Sequence, residues 1–121
     1  MIAILARLFR RGRAVAPAWI DGDQLRRRLT AGEAIALVDV RQPEEFNAPP
    51  GHLPGAINVP LADVAGMAGE LSASGRAIVL VCKTDRRSAR AAADLLAAGL
   101  KHVAVLRGGT DGWHQRGLPL E

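Results

Sequence analysis

Short apolar runs alternate with helical spacings along most of the chain. Asp21 followed by Gln24 has the form of a capping box, and it predicts a helix through Leu29 that Gly32 would stop. Ile35 to Val40 is nearly continuous apolar sequence broken only by Asp39, as a strand buried on both faces requires. Pro43 suits the first turn of a short helix through Phe46, after which Pro49-Pro50-Gly51 breaks the chain. Ala56 to Val59 reads as another strand, and Leu61, Val64, Ala68 and Leu71 fall at helical spacing. Ala77 to Val81 carries no charge and is the strongest strand in the chain. A helix is expected from about Ser88 to Ala98, stopped by Gly99, with Ala89, Ala92, Ala93 and Leu96 on its inner face. Val103 to Leu106 supplies a last strand before Gly108-Gly109. Strands alternating with helices predict an α/β domain with a central, mainly parallel sheet. Sites in such sheets form at the carboxyl ends of the strands.

Composition narrows the chemistry. The length, 121 residues, suits one domain with a real core, and a single cysteine cannot close an internal disulfide. Zinc and iron–sulfur centres built on several cysteines are excluded as well. The formal charge of +4 lies in one place, because Arg7, Arg10, Arg11 and Arg13 are the only charged residues among the first sixteen. Without those four, the basic residues number 12, the same as the 12 acidic ones. A balanced body, in a chain with four aromatic residues in all, lacks the footprint of a nucleic-acid binder.

The chain therefore divides into a basic leader, residues 1–16, and a domain, residues 17–121. The leader's apolar stretch is well short of the roughly 20 residues that span a bilayer. Its charges follow that stretch, whereas a secretory signal places them before it, so a cytoplasmic location is expected. Ile2, Leu5, Leu8 and Phe9 can share one helical face, which suits peripheral membrane or partner contact through residues 1–16. A mitochondrial presequence and a solvated, disordered tail are the other readings of this segment.

Cys82 ends the strongest strand, and the loop Lys83-Thr84-Asp85-Arg86-Arg87 leads to Ser88 and the next helix. Unsatisfied N–H groups and the dipole at a helix start both favour an anion there. Lys83, Arg86 and Arg87 add positive charge, and Arg90 follows. Together these effects favour thiolate over thiol and make the sulfur nucleophilic. Asp85 opposes this unless its carboxylate faces away, to cap the helix or to pair with an arginine. A lone cysteine ending an apolar strand is otherwise a small buried hydrophobe.

Three segments together resemble single-domain rhodanese sequences: Asp39-Val40-Arg41-Gln42-Pro43-Glu44-Glu45-Phe46, Gly51-His52-Leu53-Pro54-Gly55-Ala56-Ile57-Asn58-Val59-Pro60, and Cys82 to Ser88. Arg107-Gly108-Gly109, Trp113 and Gly117-Leu118-Pro119 resemble that family's closing signature, and the match runs from about Trp19 to the end. The resemblance implies a parallel sheet with helices on both faces and a cysteine that carries sulfane sulfur as a persulfide. Cys82 then matches the sulfur-carrying nucleophile. Lys83, Thr84, Asp85, Arg86, Arg87 and Ser88 match the loop that surrounds the outer sulfur, with Arg87 closing it. Many loops of the family have glycine where Asp85 stands, and Pro49-Pro50 looks like a small insertion.

Asp39 and Arg41 stand at a strand end, where they would support the cysteine loop, or Arg41 would pair with Glu44 or Glu45 to fix the next turn. His52 is read as a scaffolding residue and Trp113 as packing beneath the site. His102 and His114 lack metal-ligand spacing, and no metal or organic cofactor is implied. The expected activity takes sulfur from thiosulfate or another small anionic or persulfide donor and passes it to cyanide, a thiol or a protein acceptor. A phosphatase or arsenate reductase is the first rival. Cell-cycle phosphatases of related design have Cys-x5-Arg loops, whereas four residues separate Cys82 from Arg87. A non-enzymatic relay or binding module is the other rival.

Overall fold

The computed structural model describes residues 16–121. The helical and tail readings of the leader fall outside the described residues. Five parallel strands form one sheet in the order β1-β5-β4-β2-β3. They are β1 (Ala18–Ile20), β2 (Ile35–Asp39), β3 (Ile57–Asn58), β4 (Ala77–Val81) and β5 (Val103–Leu106). The charge-free β4 lies at the centre, between β5 and β2.

Alternation along the central strands assigns each face its own core. On one face Val38, Ile78, Leu80, Val103 and Val105 pack with Ala91, Ala92 and Leu95 of α5 (Arg86–Ala97). Val64 of α3 (Leu61–Val64) and Leu71 of α4 (Ala68–Ala73) join the same cluster. On the other face Ile35, Leu37, Val79 and Val81 pack with Leu25 of α1 (Gly22–Thr30) and Trp113 of α6 (Gly109–Gln115). A short α2 (Pro43–Asn47) follows β2. Helices thus cover both faces of the sheet, as expected.

Local signals account for most boundaries. Asp21 and Gln24 close the expected capping box, with reciprocal hydrogen bonds of 2.8 and 2.9 Å. Pro43 opens α2, where Glu45 reaches back to the Gln42 amide at 2.9 Å. The Leu61–Leu71 spacing yields two short helices joined by a 3₁₀ turn at Ala65–Met67 rather than one continuous helix. Helix α5 begins at Arg86, two residues before Ser88, and its buried face is Ser88, Ala91, Ala92 and Leu95. Of the expected face, Ala92 is buried and Ala89 and Leu96 pack half-buried against the core, while the centre of the buried face lies one residue earlier because alanine occupies both candidate stripes. Strand β1 and helix α6 had no counterpart in the sequence pattern.

Candidate active site

Cys82 follows β4 directly, and the residue is 1% exposed. The Sγ atom lies 3.2 Å from Ser88 Oγ, and that hydroxyl also reaches the Asp85 carbonyl at 3.1 Å. The strand therefore delivers the sulfur to the first turn of α5.

The loop's orientation is set from α6. The amides of Thr110 and Asp111 donate to the carbonyls of Cys82 and Lys83 at 2.9 and 3.0 Å. Gly109 adopts φ +56° beneath them; a Cβ there would overlap the Cys82 carbonyl and stand 2.6 Å from those of Lys83 and Thr84. Three successive carbonyls thus point toward the start of α6. A planar trans peptide directs each following N–H the opposite way, so the amides of Lys83, Thr84 and Asp85 face away from α6. Among the described residues, no protein group accepts a hydrogen bond from these three amides. Such a set of unpartnered N–H groups turned the same way is suited to a small anion.

Asp85 takes neither of the two alternatives open to it, a side-chain cap on α5 or a pair with an arginine. Its carboxylate accepts the Gly108 amide at 2.7 Å, tying the cysteine loop to the β5–α6 turn, and it does not cap α5. Its φ of −133° is open to any residue, so the departure from glycine imposes no left-handed strain.

The local charge balance also differs from the sequence reading of four cations against Asp85. Lys83 Nζ pairs with Asp111 at 2.7 Å, and Arg90 lies 3.5 Å from Asp94. Arg87 Nη1 and Nη2 donate to Glu45 Oε2 and Oε1 at 2.7 and 3.0 Å. Of the four, Arg86 alone has no carboxylate within 4.0 Å among the described residues. The Arg87 guanidinium holds the Glu45 carboxyl down at about 2, against an ordinary 4.5. Arg87 is held above its ordinary value, first by that hydrogen bond and then by the charges of Glu45, Cys82 and Asp39.

Arg41 pairs with Asp39, not with Glu44 or Glu45. Its Nε and Nη2 reach the Asp39 carboxylate at 3.0 and 2.8 Å, and Nη2 also donates to the Gly51 carbonyl at 3.0 Å. Both side chains are buried, and Asn58 Nδ2 donates to both backbone carbonyls. The pair braces the end of β2, where Val40 N donates to Val81 O at 2.9 Å just before Cys82.

The remaining loop residue, Thr84, is exposed, whereas Ser88 is fully buried. His52 stacks on Phe46 with ring centroids 3.6 Å apart, and its Nδ1 lies 2.9 Å from the Phe46 carbonyl. Trp113 Nε1 donates to the Pro119 carbonyl at 2.8 Å within the second core. Among the described residues, no group of three His, Cys, Asp or Glu side chains could hold a metal ion, and no helix is long and apolar enough to cross a membrane. The reading from sequence had missed Glu45 as the partner of Arg87, and Gly109, Thr110 and Asp111 as supports. The only local signal was Glu45's place just beyond a strand end.

Comparisons with known proteins agree with this geometry. The rhodanese-like domain family matches residues 21–116. A sulfurtransferase of Allochromatium vinosum is 35% identical over 101 residues, which cover 84% of this chain and 92% of that protein. The rhodanese-like domain of an Anabaena protein shares 32% identity and a TM-score of 0.73, covering 84% of this chain and 76% of that one. A thiosulfate sulfurtransferase of Pseudomonas aeruginosa shares 28% identity and a TM-score of 0.76 over 87% of this chain, but only 20% of its own length. The chain also spans half or less of several curated relatives. With a family match from Asp21 to Arg116, this chain belongs to the rhodanese-like family of sulfurtransferases.

Proposed function

We propose that this protein moves sulfane sulfur from thiosulfate or a persulfide donor to a thiol or cyanide acceptor through a persulfide on Cys82. The observation that carries the reading is the loop between Cys82 and Arg87: four residues long, with its carbonyls tied to α6 and three amides turned the other way. A persulfide projects one sulfur beyond Sγ, and its terminal anion suits a ring of unpartnered N–H groups.

The Cys82 thiolate attacks the outer sulfur of the donor, and a new S–S bond forms. The donor's own bond to that sulfur breaks, and sulfite or a thiolate leaves with the electron pair. The terminal sulfur on Cys82 then carries the negative charge, which the amides of Lys83, Thr84 and Asp85 stabilise. An acceptor nucleophile attacks that sulfur, and Cys82 leaves as thiolate. No second cysteine is required, because the acceptor supplies the resolving nucleophile.

The other residues have supporting roles. Ser88, whose hydroxyl donates to the Asp85 carbonyl, can turn its proton to the Cys82 sulfur when that is anionic, and Arg87 closes the loop. Asp39 and Arg41 hold the strand end beneath it. Arg86 and Lys83 face incoming donors at the rim, with the charge of Lys83 balanced by Asp111. A protein or low-molecular-weight thiol in the reducing cytoplasm is the acceptor in this reading.

Thiocyanate formation from thiosulfate and cyanide, and thiol persulfide formation from glutathione persulfide, test the reaction. Transfer by wild type and none by Cys82→Ser is the expected result. Hydrolysis of an aryl phosphate without sulfur transfer would replace this reading with phosphatase chemistry.

A further inference from the structure

We propose that Glu45 is a specificity-determining residue that occupies the Arg87 guanidinium fork and so turns the site away from oxyanions and toward persulfide donors. The inference rests on the sulfur-transfer reading and deepens it. A guanidinium fork matches carboxylate and phosphate oxygens alike, two parallel N–H bonds at a time. In this chain the Nη1–Nη2 edge of Arg87 is filled by the two oxygens of Glu45, at 2.7 and 3.0 Å. The carboxylate is itself anchored, since Oε2 also accepts the Gln42 amide at 2.9 Å within the α2 cap. Glu45 is thus a fixed internal counterion on the guanidinium edge with which Arg87 would otherwise grip two oxygens of a tetrahedral anion.

The electrostatics agree with this geometry. Glu45 stays ionised down to about pH 2, so the fork is filled throughout the physiological range. Arg87 stands in the first turn of α5, next to Ser88, whose hydroxyl lies 3.2 Å from the Cys82 sulfur. An arginine so placed and left open would read the sulfonate oxygens of thiosulfate, or phosphate. With Glu45 in place, the unpartnered amides of Lys83, Thr84 and Asp85 remain for the sulfur itself. Donors that present a terminal sulfur and no oxyanion, the persulfides of organic thiols, suit that arrangement best.

The test titrates inorganic phosphate calorimetrically into the full-length wild type, Glu45→Gln and Glu45→Ala, and compares thiosulfate with glutathione persulfide as donors. Both variants should bind phosphate more tightly, by roughly tenfold, the size of one recovered charge-assisted contact. Their thiosulfate-to-persulfide ratio of kcat/KM should rise by a similar factor. Unchanged phosphate binding in folded variants that still transfer from the persulfide would overturn the inference. Loss of transfer from both donors would overturn it too, because Glu45 would then only build the loop. Phosphate binding needs no turnover, so absence of transfer by wild type would strike the proposed reaction and leave the binding comparison standing.

Discussion

Replacing Gly109 with alanine strikes the support of the Cys82 loop without touching the loop itself. The new methyl group would overlap the Cys82 carbonyl and press on those of Lys83 and Thr84 at 2.6 Å, so its three nearest neighbours are all backbone atoms. The left-handed backbone, φ +56°, costs an alanine about 1 kcal/mol by itself. Relief of the overlap must move the loop off α6, which gives up the bonds from Thr110 and Asp111 to the Cys82 and Lys83 carbonyls. At about 1 kcal/mol for each, the total is about 3 kcal/mol, or roughly 12 °C in Tm for a domain of this size. The lost bonds also release those two carbonyls, so the amides that follow them lose their common direction. Thermal melting and thiosulfate:cyanide transfer should therefore both fall in Gly109→Ala. Gly75→Ala is the matched control, since Gly75 has φ +68° and open space around it. It should lose only about 1 kcal/mol and keep full transfer. A Gly109→Ala protein with the melting temperature of the control and wild-type transfer would refute the account of how α6 orients the loop.

Three further outcomes follow from the same contacts. Asp39→Ala leaves Arg41 buried without its carboxylate, and urea denaturation should register a loss of about 3–5 kcal/mol; a loss under about 1 kcal/mol would mean that Gly51 and solvent suffice for Arg41. Glu45 has a folded-state value of about 2 against an ordinary 4.5, so its contribution is complete above about pH 4.5 and disappears as pH falls toward 2. The stability gap between wild type and Glu45→Gln, followed by denaturation from pH 7 to pH 2.5, should be constant at first and then close; a gap that widens on acidification contradicts the pairing with Arg87. Ser88→Ala removes the hydroxyl 3.2 Å from Sγ, and alkylation of Cys82 by iodoacetamide at neutral pH should slow by roughly tenfold, whereas an unchanged rate would show that Ser88 does not stabilise the anion.

The sheet was legible because its central strands are written locally. Ala77 to Val81 is uncharged and apolar, and the Asp21–Gln24 box marks a helix start with side chains that bond to their own backbone. Cys82 and its loop were legible for a related reason, since strand, nucleophile, cations and helix follow one another in the chain. Strand β1 escaped notice because Ala18 and Trp19 are exposed at the sheet edge and leave no alternating pattern. Helix α6 contains two glycines and one large buried side chain, Trp113, so its helical form comes from packing and from the turn at Gly108 rather than from a periodic stripe. The charge balance around the sulfur was misread because its counterions come from afar. Asp111 is 28 residues from Lys83, and Glu45 is 42 residues from Arg87. No local window contains those pairs, and only the parallel sheet brings β2, β4 and β5 together so that their following segments meet.

The central claim is that Cys82 carries the transferred sulfur, and intact-mass measurement of the desalted protein tests it most directly. After incubation with thiosulfate or glutathione persulfide, wild type should gain the mass of one sulfur atom, which cyanide then removes, and Cys82→Ser should gain nothing. A wild-type protein that takes up no sulfur from either donor, or a Cys82→Ser protein that retains a cyanide-labile sulfur, would contradict the account.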